Sequence, residues 1–492
     1  MAGAVIDQGS QDREIIVTET SDTILPLVVD LDESLVKASL LGESLVVLLK
    51  ENPLLLFVLP VWLLKGREFF ARQVFRHSSL DPALLPYRTE VLDYLKTERA
   101  RGRKIILSAS DAKLAEQVSD HFRLFDQILA SDRSDAYSRR RQGGHLACSL
   151  SENGFDYVAG GSPDTTLLFL ARKIVLVNPH SRKASLAARD PQIEKVIEDP
   201  QASLRDYLRP LRPQHWIKNL LVFVPVFAAH RFREITLLER SSIAFVALCC
   251  YASSGYVLND LLDLAADRKH PHKRLRAFAA GDLPLSYGLM LVPSLMVLGC
   301  ALGMAISLQL AGMLLAYLVI SVTYSLYIKS VTLLDVIVLA GLYTLRIACG
   351  SAAVAIWPSN WLLTFSWFFF LSLALLKRYS ELVIMQRISG DGARARGYEI
   401  GDAELLASKG TASGYVAVFV LALYISSGPA ASLYGRHELM WFLCPLLLYW
   451  IGHAWLVAHR GKMNDDPVVF ATTDLTSRIL ILLMLVVTVL AL

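Results

Sequence analysis

The sequence predicts a multi-domain protein in which a doubly wound α/β domain precedes an all-α membrane domain of about nine transmembrane helices. Up to about residue 200, short apolar runs alternate with polar helical stretches, as in α/β domains with a parallel sheet. Beyond about residue 215, apolar segments of bilayer length follow one another. Hydrophobic residues make up 54% of the 492 residues and charged residues 19%. This composition excludes a disordered chain, a nucleic-acid-binding arm and a small disulfide scaffold.

The predicted α/β domain covers residues 1–200. Strands are expected at Leu25–Val29, Lys104–Leu107, Phe155–Val158 and Ile174–Val177, and helices at Thr89–Arg101 and Ala112–His121. The apolar stretch Leu54–Leu64 is too short to span a bilayer, so a buried or surface-lying helix is expected there. Residues 201–215 are predicted to form a polar linker with an interfacial helix.

The predicted membrane domain covers residues 216–492. Its apolar segments lie near residues 217–231, 238–258, 284–306, 309–328, 331–354, 361–377, 412–430, 438–458 and 475–492. With the N-terminus inside, the inner loops carry fourteen Lys and Arg residues and the outer loops four. This bias predicts that the α/β domain and the charged loops face the cytoplasm. The N-terminus lacks the pattern of a cleaved signal peptide, and five of the six cysteines lie in apolar runs, where buried thiols are expected.

A group of oxygen-bearing side chains marks the end of the second apolar segment. Asn259, Asp263 and Asp267 are four residues apart, so they project from one face of a helix, and Asp260 lies beside them. The basic residues that follow are Lys273, Arg274 and Arg276. Acidic groups at a membrane span are costly without a partner, and Mg²⁺ shared with a diphosphate would satisfy acids and bases together. The alternative is a helix end with ordinary solvated charges.

The run from Asn259 to Asp267, followed by His270, Pro271, Lys273 and Arg274, resembles the first aspartate-rich motif of the UbiA superfamily of intramembrane prenyltransferases. Four further stretches resemble its decaprenyl-phosphate phosphoribosyltransferase branch: Leu211–Asn219, Tyr324–Lys329 with Asp335, Lys377–Glu381, and Asp465–Val468 with Asp474. Two departures exist. Ala277 stands where the family usually has proline, and Asp335 is a single acid where many aromatic prenyltransferases have a pair.

The resemblance implies a membrane transferase of the bacterial inner membrane, with Mg²⁺ as cofactor and a cavity that faces the cytoplasm. Its substrates would be phosphoribosyl diphosphate and a polyprenyl phosphate, and its lipid surroundings would be its other partner. The implied metal ligands are Asn259, Asp260, Asp263 and Asp267. Asp263, Asp267 and Asp335 are the implied catalytic acids, Asp335 through the positive charge that develops at C1 of the ribose.

The implied phosphate-binding residues are Lys218, Asn219, Lys273, Arg274, Arg276, Tyr324, Lys329, Arg346 and Lys377. For several of these a structural role is the alternative: Tyr324 and Lys329 suit a membrane interface, and Lys377 suits a helix end. Asp465 and Asp466 are expected in a polar loop. No nucleic-acid partner is expected, and the oligomeric state is left open.

The N-terminal run Leu27–Leu35 resembles the first motif of haloacid-dehalogenase-like phosphohydrolases. The resemblance implies Asp30 as the nucleophile, Asp32 as the acid and base, Ser108 as a phosphate-binding residue, and Mg²⁺ on Asp30, Asp32 and Asp164. Gly160 stands where that family has an acid or amide, and Arg139, Arg140 or Arg141 would have to replace its lysine. Two hypotheses follow. The domain removes the 5-phosphate from the product of the membrane domain, or it is retained for binding or stability.

Two alternatives to phosphoribosyl transfer stand beside it. A prenyltransferase would move a prenyl group from its diphosphate to an aromatic or other acceptor, and would need the same metal site. A transporter or scaffold belongs to a different class. No convincing internal repeat supports a transporter, and neither a transporter nor a scaffold needs the Asn-Asp-Asp face beside a basic loop.

Overall fold

The computed structural model describes residues 25–109, 111–130, 154–161, 165–179, 191–200, 202–389, 394–395, 397–463 and 466–492. The chain divides into two compact units between Gln201 and Ala202. Each unit contains its own clusters of buried apolar side chains.

A six-stranded parallel sheet forms the centre of the first unit, in the order β3-β2-β1-β4-β5-β6. The strands are β1 Leu27–Asp30, β2 Ile105–Ala109, β3 Gln127–Ala130, β4 Asp156–Gly160, β5 Ile174–Val177 and β6 Ile193–Ile197. The predicted parallel sheet is confirmed. Because the chain winds outwards in both directions from β1, the carboxyl ends of β1 and β4 border the place where ligands bind in sheets of this order.

Six α-helices of the first unit are described: α1 Leu40–Glu51, α2 Leu59–Leu64, α3 Arg67–His77, α4 Thr89–Ala100, α5 Ala112–Phe122 and α6 Thr165–Leu170. The predicted helices at α4 and α5 agree with these bounds to within one residue. The apolar stretch Leu54–Leu64 lies on the surface as a 3-10 helix, Pro53–Phe57, followed by α2. No residue of either helix is buried.

Asp156, at the start of β4, links the sheet to two neighbouring arginines. Its carboxylate accepts hydrogen bonds from Arg103, from Arg172 at 3.2 Å and from the backbone N–H of Lys173 at 3.1 Å. Burial alone would raise the pKa of Asp156, but the hydrogen bonds from Arg172 and Arg103 outweigh it and hold that pKa below 3.8. The carboxylate is therefore ionised at neutral pH and joins β4 to two basic side chains.

The second unit is helical. Its α-helices are α7 Leu204–Leu208, α8 Val224–Ala228, α9 Ile235–Leu262, α10 Leu264–Lys269, α11 Leu285–Ile306, α12 Leu308–Leu326, α13 Leu334–Val354, α14 Asn360–Ser389, α15 Ala403–Ile425, α16 Gly428–Leu433, α17 Leu443–His459, α18 Pro467–Thr473 and α19 Leu475–Ala491. Among the described residues, six helices are long and apolar enough to cross a membrane, or seven if the bent pair α18–α19 is one span. The unit is therefore that of a multi-pass membrane protein, and the count of nine stays a prediction.

Two of these helices lie at the centre of the unit. In α9 and α13, 61% of the apolar window is buried inside the protein, whereas the figures for α11 and α12 are 17% and 22%. Since α9 and α13 carry Asp260 and Arg346, the candidate polar side chains lie on central helices, and the apolar faces of α11 and α12 remain for lipid.

The first predicted span, residues 217–231, is not a continuous α-helix. It is a 3-10 helix, Pro213–Phe223, followed by the short α8. Pro225, inside the predicted span, lacks the N–H that an α-helix interior requires. The 3-10 helix packs directly on α13, because an added Cβ at Gly350 would lie 2.1 Å from the carbonyl oxygen of Val222. This close approach brings Lys218 and Asn219 beside Arg346, which lies one turn before Gly350.

Candidate active site

The first aspartate-rich motif crosses the junction of two helices, and its residues remain one helical turn apart there. Helix α9 ends at Leu262, and α10 begins at Leu264. The N–H of Asp263 donates to the carbonyl of Asn259 at 2.9 Å, and the N–H of Asp267 donates to that of Asp263 at 2.8 Å. With a rotation of about 100° per residue, Asn259, Asp260, Asp263 and Asp267 fall within an arc of about 100°. The predicted common face is thus present in the backbone.

One side of this face is held by two arginines. Arg212 donates to the carboxylate of Asp260 at 2.5 Å, and Arg276 donates to the same oxygen at 3.1 Å. Arg276 also donates to Asp267 at 2.6 Å and so bridges the two acids. Asp260 and Asp267 are buried, with 5% and 3% of their surface exposed. Buried carboxylates need such charged partners, and Arg276 fills the predicted role of a cation next to the motif.

The other side of the face contacts the end of α12. Lys329, in the 3-10 turn after α12, lies 3.2 Å from a carboxylate oxygen of Asp263. The amide of Asn259 donates to the hydroxyl of Ser325 at 3.0 Å. Both groups of the Lys329–Asp263 pair are about one-third exposed. This pair is therefore the part of the motif that a substrate can reach most directly.

The donor chemistry of the motif fits Mg²⁺. In the described part of the chain, no three Asp, Glu, His or Cys side chains are grouped closely enough to hold one ion. The three acids of the motif instead contact three cations, Arg212, Arg276 and Lys329, in salt bridges of 2.5–3.2 Å. Carboxylate and amide oxygens are hard donors of the kind Mg²⁺ prefers, and the same cations are suited to phosphate oxygens. The residues therefore fit an ion that binds together with a diphosphate.

A second group of cations lies deeper in the unit. The ammonium of Lys218 donates to the carboxylate of Asp466 and lies over the ring of Tyr343, 5.7 Å from its centre. Arg346 donates to the side chain of Asn219 at 3.0 Å and to the hydroxyl of Tyr317 at 2.7 Å. The Arg346 guanidinium also lies 5.0 Å from the Tyr343 ring centre. The two cations thus share one aromatic ring.

Arg212 is a further cation at the motif that contacts an aromatic ring. Its guanidinium bonds Asp260 and lies 5.3 Å from the centre of the Tyr256 ring. The described cations therefore extend from the aspartate motif into the interior of the bundle. Three of them contact aromatic rings, which attract cations without neutralising them.

Asp335 has a different environment from the motif. It is fully buried at the start of α13, and both of its carboxylate oxygens accept hydrogen bonds. One accepts from Arg378 at 2.5 Å and the other from the hydroxyl of Tyr398 at 2.6 Å. Arg378 also donates to the hydroxyl of Tyr324 at 2.8 Å. The geometry therefore favours a positioning role for Asp335 and Tyr324 rather than contact with a reacting atom.

Three predicted phosphate-binding residues are not brought into these contacts. Lys273 and Arg274 are exposed in the turn Lys273–Leu275. Lys377 is half-buried, and its ammonium makes no hydrogen bond to any residue that the structure describes. Lys377 nevertheless comes directly after a run of buried residues in α14, and its ammonium remains available to an anion.

Several residues that complete the site are not predicted from the sequence. Arg212 and Arg378 lie inside the recognised motifs and Tyr398 lies outside them, and the pairing of all three with acids far along the chain has no local signal. The expectation for Asp466 is corrected: it is buried, with 6% of its surface exposed, because its carboxylate pairs with Lys218 in the interior. Asp465 lies outside the described residues.

The first unit has a smaller candidate site at the carboxyl ends of β1 and β2. Asp30 ends β1 and pairs in register with Ser108, and its carboxylate accepts a hydrogen bond from the hydroxyl of Tyr157 at 3.3 Å. Asp32 accepts one from the N–H of Leu40 at 3.0 Å. The structure therefore brings Asp30, Asp32 and Ser108 to one edge of the sheet. Asp164 and the three candidate arginines Arg139, Arg140 and Arg141 lie outside the described residues.

Gly160 has a packing reason to lack the expected acid. A Cβ built on Gly160 would lie 2.3 Å from the carbonyl oxygen of Glu33, so no side chain fits there. Glu33 itself has a φ of 60°. A Cβ on Gly161 would lie 1.6 Å from a carboxylate oxygen of Glu33, so this acid occupies the space above the glycine pair.

Comparison with known proteins identifies the family. The model of the UbiA prenyltransferase family matches residues 220–487, more than half of the chain. The chain belongs to the UbiA prenyltransferase family. The matched region contains the aspartate motif, Arg346 and Asp335, and the protein is therefore a membrane transferase of this family. The resemblance seen in the sequence is confirmed at the level of the family.

Three curated relatives are similar over different shares of the chain. The uncharacterized protein y4nM of Sinorhizobium fredii is 32% identical over 96% of this chain and 92% of its own length. Nodulation protein NoeC of Azorhizobium caulinodans is 36% identical over 56% of this chain and 90% of its own length. Decaprenyl-phosphate phosphoribosyltransferase of Mycobacterium tuberculosis is 33% identical over 39% of this chain and 66% of its own length. The match to y4nM extends over both units.

Proposed function

We propose that the second unit transfers a 5-phosphoribosyl group from phosphoribosyl diphosphate to a polyprenyl phosphate and releases diphosphate. The observation that carries this proposal is the extension of cations from the aspartate motif to Lys218 and Arg346 in the interior. A prenyl diphosphate presents one anionic group. Phosphoribosyl diphosphate presents a diphosphate and a 5-phosphate, and the acceptor lipid adds a third anionic group. Three anionic groups match cations at several depths better than one group does. The similarity to the mycobacterial phosphoribosyltransferase supports the same choice.

Asn259, Asp263 and Asp267, with Asp260, would hold Mg²⁺. The ion, when bound, supplies positive charge that stabilises the leaving diphosphate. Arg276 and Lys329 would exchange their carboxylate partners for diphosphate oxygens, since both already lie at the motif. The exchange costs little for Lys329, because its salt bridge is partly exposed to solvent.

The acceptor needs no general base in this reaction. A phosphate monoester is already largely ionised near pH 7, so its oxygen attacks C1 of the ribose directly. The new C1–O bond forms as the bond between C1 and the diphosphate breaks, and the diphosphate carries the electron pair away. Lys218 and Arg346 would hold the 5-phosphate or the acceptor phosphate and thereby orient C1.

The isoprenoid chain would lie between α9 and α12. A closed seam there, which would have to widen to admit the chain, is lined by Gly255, Leu258, Asn259, Leu262, Ser321, Val322, Ser325 and Leu326. Its apolar walls suit an isoprenoid, and Asn259 places its polar end beside the motif. We infer that the lipid phosphate enters from this side, on the cytoplasmic face of a bacterial inner membrane.

For the first unit we propose removal of the 5-phosphate from the lipid product. Asp30 would attack the phosphorus, and Asp32 would donate a proton to the leaving oxygen and later activate water. The support is the position of both acids beside Ser108 at the carboxyl edge of the sheet. The alternative is a unit retained for binding or stability. Gly160 favours this alternative, because the haloacid-dehalogenase-like family has an acid or amide at that position.

The experiment uses the purified full chain in detergent with Mg²⁺, phosphoribosyl diphosphate and polyprenyl phosphate, and follows the lipid product by mass. The expected product is a lipid-linked ribose, which disappears in Asp263→Ala. Glu239→Gln is the matched control, since Glu239 is exposed at the opposite end of the same helix and should leave turnover unchanged. If Asp263→Ala formed the same lipid-linked ribose in the same amount as the wild-type chain, the proposed site would be contradicted.

The same measurement separates the two activities. A product that lacks the 5-phosphate in the wild-type chain, and retains it in Asp30→Asn, would support the phosphatase step. A product that keeps the 5-phosphate in both chains would assign the first unit a non-catalytic role.

Prenyl transfer to an aromatic acceptor is the second candidate function. The aromatic side chains Tyr256, Tyr317 and Tyr343 favour it, because rings at the interior cations would also stack on an aromatic acceptor. Formation of a prenylated aromatic product, with no incorporation of ribose into lipid, would establish this candidate instead.

A further inference from the structure

The first unit carries an exposed apolar surface that its own fold does not use. We call residues Pro53–Leu64 the apolar segment. Leu54, Phe57 and Leu64 are 78%, 76% and 88% exposed, and neither of its two helices contains a buried residue. Soluble domains rarely display so many adjacent large apolar side chains unless the surface binds something.

The surroundings of the apolar segment are basic. Residues 50–77 contain five basic and two acidic residues, a net charge of +3, whereas the rest of residues 1–200 has a net charge of −6. The basic residues are Lys50, Lys65, Arg67, Arg72 and Arg76. A positive patch on an otherwise acidic unit is attracted to anionic lipid headgroups, whereas the same patch on a second copy of the chain would repel it.

The segment has the shape and the aromatic residue expected at a membrane interface. Each of its two helices has five or six residues, far too few to cross a bilayer. Trp62 stacks on His77, with 5.6 Å between ring centres, and the ammonium of Lys65 lies 5.2 Å from the ring centre of Phe69. Helix α3 thus supports the segment from one side, and its Val74 is buried in the unit. Tryptophan and lysine are residues that favour the headgroup layer.

We propose that the apolar segment inserts into the headgroup and upper acyl layer of the bilayer that the second unit spans. The occupant is lipid because every copy of the chain carries membrane-spanning helices, so a bilayer is always close. Only six residues, 198–203, separate β6 from α7 in the sequence, and such a length spans about 20 Å at most. Insertion of amphipathic segments to a depth of about 5–10 Å is typical of interfacial helices.

Insertion would bring the candidate site of the first unit close to lipid. The N–H of Leu40, the first residue of α1, donates to Asp32, and the apolar segment begins just after the other end of α1. Twelve helical residues span about 18 Å, so Asp32 would lie about one helix length from the inserted residues. This consequence depends on the proposed phosphatase step, whereas the insertion itself does not depend on either proposed activity.

The test uses the full chain, with its native cysteines replaced by alanine, in vesicles of phosphatidylcholine and phosphatidylglycerol. A polarity-sensitive dye is attached to Phe57→Cys, to Leu64→Cys and, as the control, to Lys96→Cys on the exposed face of α4. Spin-labelled lipid is expected to quench the dye at positions 57 and 64 several-fold more strongly than at 96. Aqueous iodide is expected to show the opposite order. The circular dichroism spectrum and the gel-filtration profile of each labelled chain report that it is folded, independently of any activity.

Three results would overturn the proposal. Strong iodide quenching at positions 57 and 64 would place the segment in water, and protection from both quenchers would place it against protein. A second variant keeps the test independent of the labelled residue: Leu56→Glu is expected to reduce lipid quenching of the dye at position 64. Equal lipid quenching with and without Leu56→Glu would also contradict insertion of the segment.

Discussion

Asp263 and Asp335 are both aspartates paired with a cation in the second unit, but only one of them is accessible. Asp263 is one-third exposed and contacts Lys329 at 3.2 Å. Asp335 is fully buried, and Arg378 and Tyr398 occupy both of its oxygens. A partly exposed pair is weak and exchanges partners readily, whereas a fully buried pair cannot be opened without leaving an unpaired charge. The sequence predicts a catalytic role for both residues, and for these two the difference in accessibility separates an acid that a substrate can reach from a positioning acid.

The comparison predicts the largest effect for Asp335→Asn. The substitution leaves Arg378 buried with weaker compensation, so we expect a loss of about 3–5 kcal/mol in the free energy of unfolding. Glu381→Gln is the matched control. Glu381 bonds the same guanidinium at 2.7 Å but is 27% exposed, and we expect a loss of about 1 kcal/mol or less. Thermal unfolding of the full chain in detergent measures both.

The opposite pattern would contradict a positioning role for Asp335. If Asp335→Asn keeps the melting temperature of the wild type and still abolishes turnover, the carboxylate must act on the substrate. Its predicted role at C1 of the ribose would then be restored.

Asp263→Ala should have the next largest effect, and it should fall on activity. Loss of an electrostatic group that acts on a leaving diphosphate is expected to lower kcat about 10²- to 10³-fold. Because the Asp263–Lys329 pair is partly exposed, the melting temperature should change little. Turnover and melting of the same preparation, compared with Glu239→Gln, check this prediction. An equal loss of stability and activity would contradict the distinction between the two acids.

Lys218→Met tests whether the interior cations bind substrate phosphate. If Lys218 binds a substrate phosphate, loss of a hydrogen bond to a charged group should raise KM for phosphoribosyl diphosphate about 10- to 100-fold. Asp466→Asn removes the partner of Lys218 but keeps its charge, so it should raise this KM much less. Steady-state kinetics at saturating polyprenyl phosphate measure both variants. A fall in kcat with an unchanged KM would place Lys218 outside the substrate site.

Lys329→Met should give the smallest change in stability. A salt bridge between side chains that are 35% and 33% exposed is expected to contribute about 0–1 kcal/mol to folding. Its effect on KM should nevertheless approach tenfold and should shrink as salt is added, because the cation is accessible. Kinetics at two ionic strengths test this. A large fall in melting temperature would show that Lys329 is structural.

The sequence predicts those parts of the site that depend on local spacing. Asn259, Asp263 and Asp267 are separated by single helical turns, so their common face follows from periodicity alone. Their partners are distant: Arg212 is 48 residues from Asp260, Lys218 is 248 residues from Asp466, and Arg378 is 43 residues from Asp335. Such pairs are set by helix packing, and no local pattern reports them.

The fold shows the same limit. Strands β1, β2, β4 and β5 lie in apolar runs and are predicted, whereas β3 and β6 are not. Gln127–Ala130 has only two large apolar residues, and Ile193–Ile197 contains a glutamate and a lysine. Hydropathy also does not predict the break in the first predicted span. The break depends on Pro225 and on the close approach of Val222 to Gly350, which a count of apolar residues does not register.

The most direct test of the central claim labels the two halves of one substrate. Phosphoribosyl diphosphate with ¹⁴C in the ribose and ³²P in the terminal phosphate is incubated with the full chain, Mg²⁺ and polyprenyl phosphate. We predict that ¹⁴C enters the lipid fraction, that ³²P is released as diphosphate in equal amount, and that both signals are lost in Asp263→Ala. Absence of ¹⁴C from the lipid fraction, with active prenyl transfer from a prenyl diphosphate in the same preparation, would contradict phosphoribosyl transfer.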